Sequence, residues 1–207
     1  VKQAATPPLV LASASPARRA VLEAAGLRFE ALAAAVDEAA IKESAQAEGI
    51  PAAEAALMLA EAKAMRIGAR RPEALVIGGD QLLTCTIDGA SRWFDKPPDM
   101  AAARNQLLAL RGRRHELVTA TIAWRGGARI WQDVTTPRLT MRDFSEAFLD
   151  AYLAAEGAAL LGSVGAYRLE GPGVQLMAKV EGEHSAILGL PLIPLLGFLR
   201  QHGVLAG

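Results

Sequence analysis

Leu9-Val10-Leu11-Ala12-Ser13-Ala14-Ser15-Pro16-Ala17-Arg18-Arg19 is the stretch on which the reading of this chain turns. Three consecutive apolar residues, Leu9 to Leu11, have the length and character of a buried strand. Small residues follow, then a proline and two arginines that open an amphipathic helix. Pro16 suits the first helical position, where its missing N–H would have no partner in any case. Ser15 stands directly before it, placed to cap the helix through its hydroxyl. Ala12, Ser13 and Ala14 let a ligand approach the backbone. A helix N-terminus with two hydroxyls and two guanidinium groups is a receptor for phosphate oxygens. The same letters also suit an ordinary cap with solvated arginines, so the rest of the chain has to decide.

Composition narrows the field. The 207 residues are enough for one large domain or two small lobes around a sizeable core. Basic and acidic side chains balance at 22 each, so no global field points to nucleic acid or a membrane surface. Any anion specificity must come from local clusters. Cys85 is the only cysteine, which excludes an intrachain disulfide and a thiolate zinc cage. His115, His184 and His202 are far apart and form no ligand motif. No apolar run approaches the roughly 18 residues of a membrane span. The N-terminus lacks a signal-peptide pattern, and a cytoplasmic location is the expectation.

Along the chain, Val21, Leu22 and Ala25 mark the apolar face of the first helix, which Gly26 closes. Arg28–Leu32 reads as a second strand and leads to the acidic pair Asp37-Glu38, which on its own is a solvated turn. Ala52–Arg70 reads as a long helix with Lys63 near its middle. Ala74–Ile77 is a strand stopped by Gly78-Gly79-Asp80-Gln81, which puts Asp80 at a strand end, where open α/β sheets bind ligands. Asp88-Gly89 is a hairpin turn signal between Leu82–Ile87 and Trp93-Phe94. Lys96 follows in a loop with Pro97 and Pro98. Asp99–Leu110 reads as a helix, Leu117–Trp124 and Ala128–Val134 as strands joined at Gly126-Gly127, and Arg138–Arg142 as an extension of that sheet. Ser145 caps a helix through Ala155. Gly165–Gly171 and Val174–Val180 read as strand-like, and Pro194–Gln201 as a closing apolar helix. No repeat, low-complexity tract or linker interrupts the chain.

The polar residues at element ends form a set: Ser13, Ser15, Arg18, Arg19, Glu38, Lys63, Asp80 and Lys96. Basic groups and hydroxyls can hold a triphosphate. Two carboxylates can hold Mg²⁺ or Mn²⁺ through oxygen ligands, and such a metal can activate a water. The ordered series Leu11–Arg19, Val36-Asp37-Glu38, Ala62-Lys63-Ala64, Ile77-Gly78-Gly79-Asp80-Gln81 and Lys96-Pro97 resembles the Maf family. Leu110–Val118 as Leu-x-Gly-x-x-His, Gly165-Ala166-Tyr167 with Glu170-Gly171, and Gly189-Leu190-Pro191-Leu192 extend the resemblance from about Pro8 to His202. Each piece is weak alone, and their ordered conjunction is specific.

The resemblance implies a nucleoside triphosphate pyrophosphatase that cleaves between the α- and β-phosphates, giving a nucleoside monophosphate and pyrophosphate. It implies an α/β fold similar to the inosine-triphosphatase-like enzymes. That fold has a long mixed sheet with flanking helices and two lobes around a central cleft, with residues 1–207 as a single bilobed domain. Asp80 would accept the proton of the attacking water, and Glu38 and Asp80 would lie near the divalent metal. Ser13, Ser15, Arg18, Arg19, Lys63 and Lys96 would bind substrate.

Specificity would rest on Ala17, Gln81 and Glu170. The branch acting on 7-methyl-GTP carries Gln and Glu at the last two of these places, whereas the branch acting on dTTP and UTP carries Thr and Gln. A carboxylate can accept both guanine donors, N1–H and the exocyclic amine, and favours a base made cationic by methylation. Ala17 stands where the 7-methyl-GTP branch commonly has tryptophan, so that stacking platform is missing. Two alternatives remain: a dTTP/UTP pyrophosphatase of the same family, and a nucleotide-sensing inhibitor of septum formation with little turnover. The partner implied is a nucleoside triphosphate, not nucleic acid or a membrane, and family analogy adds a homodimer.

Overall fold

A computed structural model describes residues 2–207. The elements run β1 (Leu9–Ala12), α1 (Pro16–Ala24), β2 (Glu30–Ala31), α2 (Glu38–Ala47), α3 (Ala52–Gly68), β3 (Leu75–Ile87), β4 (Ala90–Phe94), α4 (Met100–Leu110) and β5 (Arg114–Arg125). β6 (Ala128–Thr135), β7 (Arg138–Met141), α5 (Glu146–Glu156), β8 (Met177–Glu181), α6 (His184–Ile187) and α7 (Leu192–Gln201) complete the chain. The strands form a mixed sheet of order β2-β1-β3-β5-β7-β8, with β4 paired to β3 and β6 to β5. This is the mixed α/β sheet fold expected from the sequence.

The chain divides into two compact units. The first comprises Val1–Gln81, Thr119–Thr135 and Glu183–Gly207. Here β1 pairs in parallel with β2 and with the first part of β3. Leu9 and Leu11 of β1 and Leu75 and Ile77 of β3 are buried with Val21 and Leu22 of α1 and Leu195, Phe198 and Leu199 of α7. Trp131 on β6 stacks on Phe198 with ring centroids 5.0 Å apart. Ser15 caps α1 as its position predicts, its Oγ accepting from Arg18 N. Past the helix end, Leu27 N–H reaches back to Leu22 O while Gly26 takes a φ of 73°. That is the glycine-closed helix end read from the sequence.

Two sequence expectations change in this unit. Asp37 and Glu38 are not a solvated turn but the start of α2: Asp37 is the N-cap, its Oδ1 accepting from Ala40 N at 3.1 Å, and Glu38 is the first helical residue. The periodicity is silent there because Ala45 is the only residue α2 fully buries. The second change is larger. Gly78-Gly79-Asp80-Gln81 does not stop a strand; β3 runs unbroken for 13 residues from Leu75 to Ile87. Asp80 is therefore inside a strand rather than at its end. Gly78 serves close packing, not a turn: a Cβ there would meet Ala60 O at 2.2 Å and the Ala64 Cβ at 2.8 Å. The glycine lets α3 lie directly on β3.

The second unit comprises Leu82–Val118 and Thr136–Gly182. β3 and β4 form the hairpin expected at Asp88-Gly89, with Thr86 opposite Ser91. β5, β7 and β8 pair antiparallel. Gly165–Gly171 is not a strand. Gly165 (φ 78°) and Ala166 (φ 57°) take left-handed conformations that break an extended run, and short 3₁₀ turns occupy Gly157–Gly162, Val164–Ala166 and Pro172–Leu176. Only Met177–Glu181 of the following segment is strand. His115 is buried here, its Nε2 2.9 Å from the Tyr167 hydroxyl. No helix among the described residues is long and apolar enough to cross a membrane.

Candidate active site

β1 ends at Ala12, whose partner on β3 is Gly78. Because β3 continues, Gly79, Asp80 and Gln81 lie beyond the carboxyl end of β1, where open α/β sheets place their ligands. Three elements of the first unit bring charged side chains to this point. Asp80 comes from β3, Lys63 from the middle of α3, and Glu38 from the first turn of α2. Lys63 Nζ lies 2.5 Å from Asp80 Oδ1 and 2.8 Å from Glu38 Oε1. The Lys63 and Asp80 side chains are 9% and 6% exposed, Glu38 43%, so the glutamate is the member open to solvent. A buried carboxylate of this kind is tolerable because an ammonium compensates its charge.

Arg18 completes the cluster from α1. It is buried, with Nε donating to Gly189 O at 2.7 Å and Nη1 to Ser13 Oγ at 3.2 Å. Ser13 Oγ also accepts from Ser15 N at 3.2 Å. Burial pushes the Arg18 pKa down, and the charges of Asp80 and Glu38 oppose that shift. Two cations and two carboxylates thus balance in one neighbourhood, with only Glu38 open to solvent, next to a serine-capped helix N-terminus. Arg18 retains donors beyond the two it uses in these contacts, since a guanidinium carries five.

The remaining predicted residues are distributed otherwise. Arg19 points outward on α1 and pairs with Glu23 at 2.7 Å, both side chains being more than half exposed. Ala17 is partly buried in the first turn of α1. Gln81 turns its amide nitrogen into the fold, donating to Thr119 Oγ1 at 2.8 Å, Ala186 O at 3.0 Å and Ile187 O at 3.1 Å. Lys96 and Glu170 belong to the second unit. Lys96 is exposed on the loop after β4, beside the buried Pro97, and Gln106 Nε2 donates to the neighbouring Asp95 O at 2.9 Å. Glu170 is exposed and accepts from Arg168 Nε at 3.3 Å. The sequence reading missed the carbonyl of Gly189 as a partner of Arg18. Gly189-Leu190-Pro191 was visible as a motif, but a backbone acceptor carries no side-chain signal.

The donor set can be tested against a divalent cation. Among the described residues, no group of three or more His, Cys, Asp or Glu side chains converges. Glu38 and Asp80 offer carboxylate oxygens within reach of one ammonium nitrogen. Mg²⁺ is usually held by one or two carboxylates, with substrate phosphates and water supplying the rest. The residues fit such an ion when a polyphosphate is present, and do not form a closed all-protein cage.

Known proteins are similar to this chain over nearly its whole length. A Granulibacter bethesdensis protein named nucleoside triphosphate pyrophosphatase is 59% identical over 197 residues, covering 95% of this chain and 98% of its own. A Rhodospirillum rubrum protein of the same name is 52% identical, with 98% of each chain covered. A Rhizobium meliloti protein named 7-methyl-GTP pyrophosphatase is 47% identical, covering 96% of this chain and 98% of its own. Residues 8–202 match the family described as Maf-like protein. The chain belongs to that family.

Proposed function

We propose that this protein is a nucleoside triphosphate pyrophosphatase, a hydrolase acting on the acid anhydride between the α- and β-phosphates. The observation that carries the reading is the Lys63 ammonium between Asp80 and Glu38, beside Arg18 and Ser13 at the end of β1. Arg18, Ser13, Ser15 and the α1 N-terminus receive phosphate oxygens, and Lys63 adds a point charge. Glu38 and Asp80 hold a divalent cation of the Mg²⁺ or Mn²⁺ type, which when bound supplies charge neutralisation of the triphosphate. Asp80 accepts a proton from water as its oxygen bonds to phosphorus. The bridging oxygen leaves with pyrophosphate, and the nucleoside monophosphate is the second product. Lys96 extends the phosphate contacts.

The base we propose is 7-methylguanine, or that of another modified nucleotide. Glu170 supports it, together with relatives named for that substrate. The Glu170 carboxylate accepts the two guanine donors and favours the cationic ring. A panel of 7-methyl-GTP, GTP, dTTP, UTP and CTP tests this through kcat/KM in Mg²⁺ or Mn²⁺. The highest value is expected for 7-methyl-GTP. A lead for dTTP or UTP would move the chain to the other branch while keeping the reaction. Tight nucleotide binding without turnover would replace the enzyme with a sensor.

A further inference from the structure

Arg18 owes its orientation to a turn 171 residues further along the chain. Its planar guanidinium is fixed at two points, Nε by Gly189 O and Nη1 by Ser13 Oγ. Fixing two atoms of a rigid plane sets the direction of every remaining donor. The Gly189 carbonyl is itself held through one acceptor. Ala186 O receives Gly189 N–H at 3.0 Å, Gln81 Nε2 at 3.0 Å and Thr119 Oγ1 at 3.1 Å. Gln81 adds the Ile187 carbonyl and the Thr119 hydroxyl, so the two hydrogens of its amide serve three acceptors inside the fold. Gly189 takes a φ of 95°, and a Cβ there would sit 3.2 Å from Arg18 Nε and 3.4 Å from Nη2. Only a glycine places this carbonyl against the arginine without strain and without pressing on it.

We propose that Gln81, Thr119 and Gly189 form a positioning relay for Arg18, and that Gln81 influences substrate through Arg18 rather than by touching the base. The proposal rests on Arg18 being a phosphate contact of the proposed reaction. It explains why the residue directly after Asp80 can matter to substrate while its amide nitrogen faces away from it. Gln81 anchors the turn, the turn presents Gly189 O, and Gly189 O aims the guanidinium. None of the three is a catalytic residue; all act through Arg18.

The experiment compares Gln81→Met, Gly189→Ala and Arg18→Met, singly and with Gln81→Met combined with Arg18→Met. Steady-state kinetics are read on 7-methyl-GTP, GTP and dTTP. Gln81→Met and Gly189→Ala are each expected to raise KM about tenfold on every base while kcat falls less, the signature of a misplaced binding group. The ratios between bases stay as in the wild type. In the Arg18→Met background, Gln81→Met has no further effect. A change of base preference in Gln81→Met but not in Gly189→Ala would overturn the relay and make Gln81 a reader of the base. A full Gln81→Met effect without Arg18 would overturn it equally. The Arg18 Nε–H resonance in ¹⁵N spectra supplies a readout independent of turnover. It should be slow to exchange in the wild type, and should shift and exchange faster in Gln81→Met. An unmoved resonance contradicts the relay. Failure of the wild type to release pyrophosphate with that resonance behaving as expected would sink the functional reading alone.

Discussion

Lys63 is the residue on which the charges of the site depend. Its ammonium faces two carboxylates, and its side chain and that of Asp80 are almost fully removed from water. Replacing it with methionine keeps the volume and takes from the buried Asp80 its directly bonded ammonium, leaving only the Arg18 charge nearby, a change worth about 3 kcal/mol of stability. Urea denaturation of Lys63→Met should show that loss together with a fall in turnover. Undiminished stability would mean that water or another cation already compensates Asp80. The Glu38 and Asp80 oxygens predict a second behaviour. Chelation with EDTA should abolish turnover, and Mg²⁺ or Mn²⁺ should restore it, whereas full activity in EDTA would remove the metal from the account. Residues of this kind were legible in the sequence because their types are informative wherever they fall. Ser13, Ser15, Arg18, Glu38, Lys63 and Asp80 were all named there, and they meet in one unit. Arg19 shows the limit of that reading. Two adjacent arginines read alike, yet successive helical positions point about 100° apart, and only Arg18 turns inward.

At the scale of elements, β3 matters most, because it carries Asp80 and because α3 delivers Lys63 across its face. Their closeness depends on Gly78, where an added methyl would enter the van der Waals shell of Ala60 O and Ala64. Gly78→Ala should therefore push α3 off the strand, with a destabilisation of about 1–3 kcal/mol. The Lys63–Asp80 contact would lengthen, so turnover should fall with it. A variant as stable and as active as the wild type would show that the helix and strand can separate freely at this point. The same glycine explains the principal error in the sequence reading. Gly-Gly followed by Asp looks like a turn, and the one-dimensional signal for a turn and for a close helix–strand approach is identical. α2 was missed for the opposite reason: it buries so little that no apolar period marks it, and only the Asp37 cap announces it. Helices with a clear apolar stripe, α1, α3, α4 and α7, were read within a few residues of their observed limits.

For the molecule as a whole, the division into two units left no trace in composition. Two of its four boundaries, Gln81/Leu82 and Val118/Thr119, fall inside the uninterrupted strands β3 and β5, and the other two, Thr135/Thr136 and Gly182/Glu183, fall in connections of only two residues. Global stability offers a handle on the second unit through His115. Burial holds its imidazole at a pKa of about 4, below the ordinary 6.5. Above pH 6.5 the group is neutral in both folded and unfolded chains and contributes no pH dependence. As pH falls from 6.5 towards 4 the unfolded chain takes up the proton first, so stability is lost, at most about 1.4 kcal/mol per pH unit. His115→Gln should flatten that part of the stability–pH curve, and an unchanged curve would mean that His115 does not stay neutral in the fold. The role proposed for Asp80, driving cleavage between the α- and β-phosphates, can be read from ³¹P NMR of the products formed from 7-methyl-GTP by the wild type and by Asp80→Asn. The wild type should give monophosphate and pyrophosphate in equal amounts, and the variant a rate lower by at least about a hundredfold. Orthophosphate as the first product, or an Asp80→Asn enzyme as fast as the wild type, would contradict it.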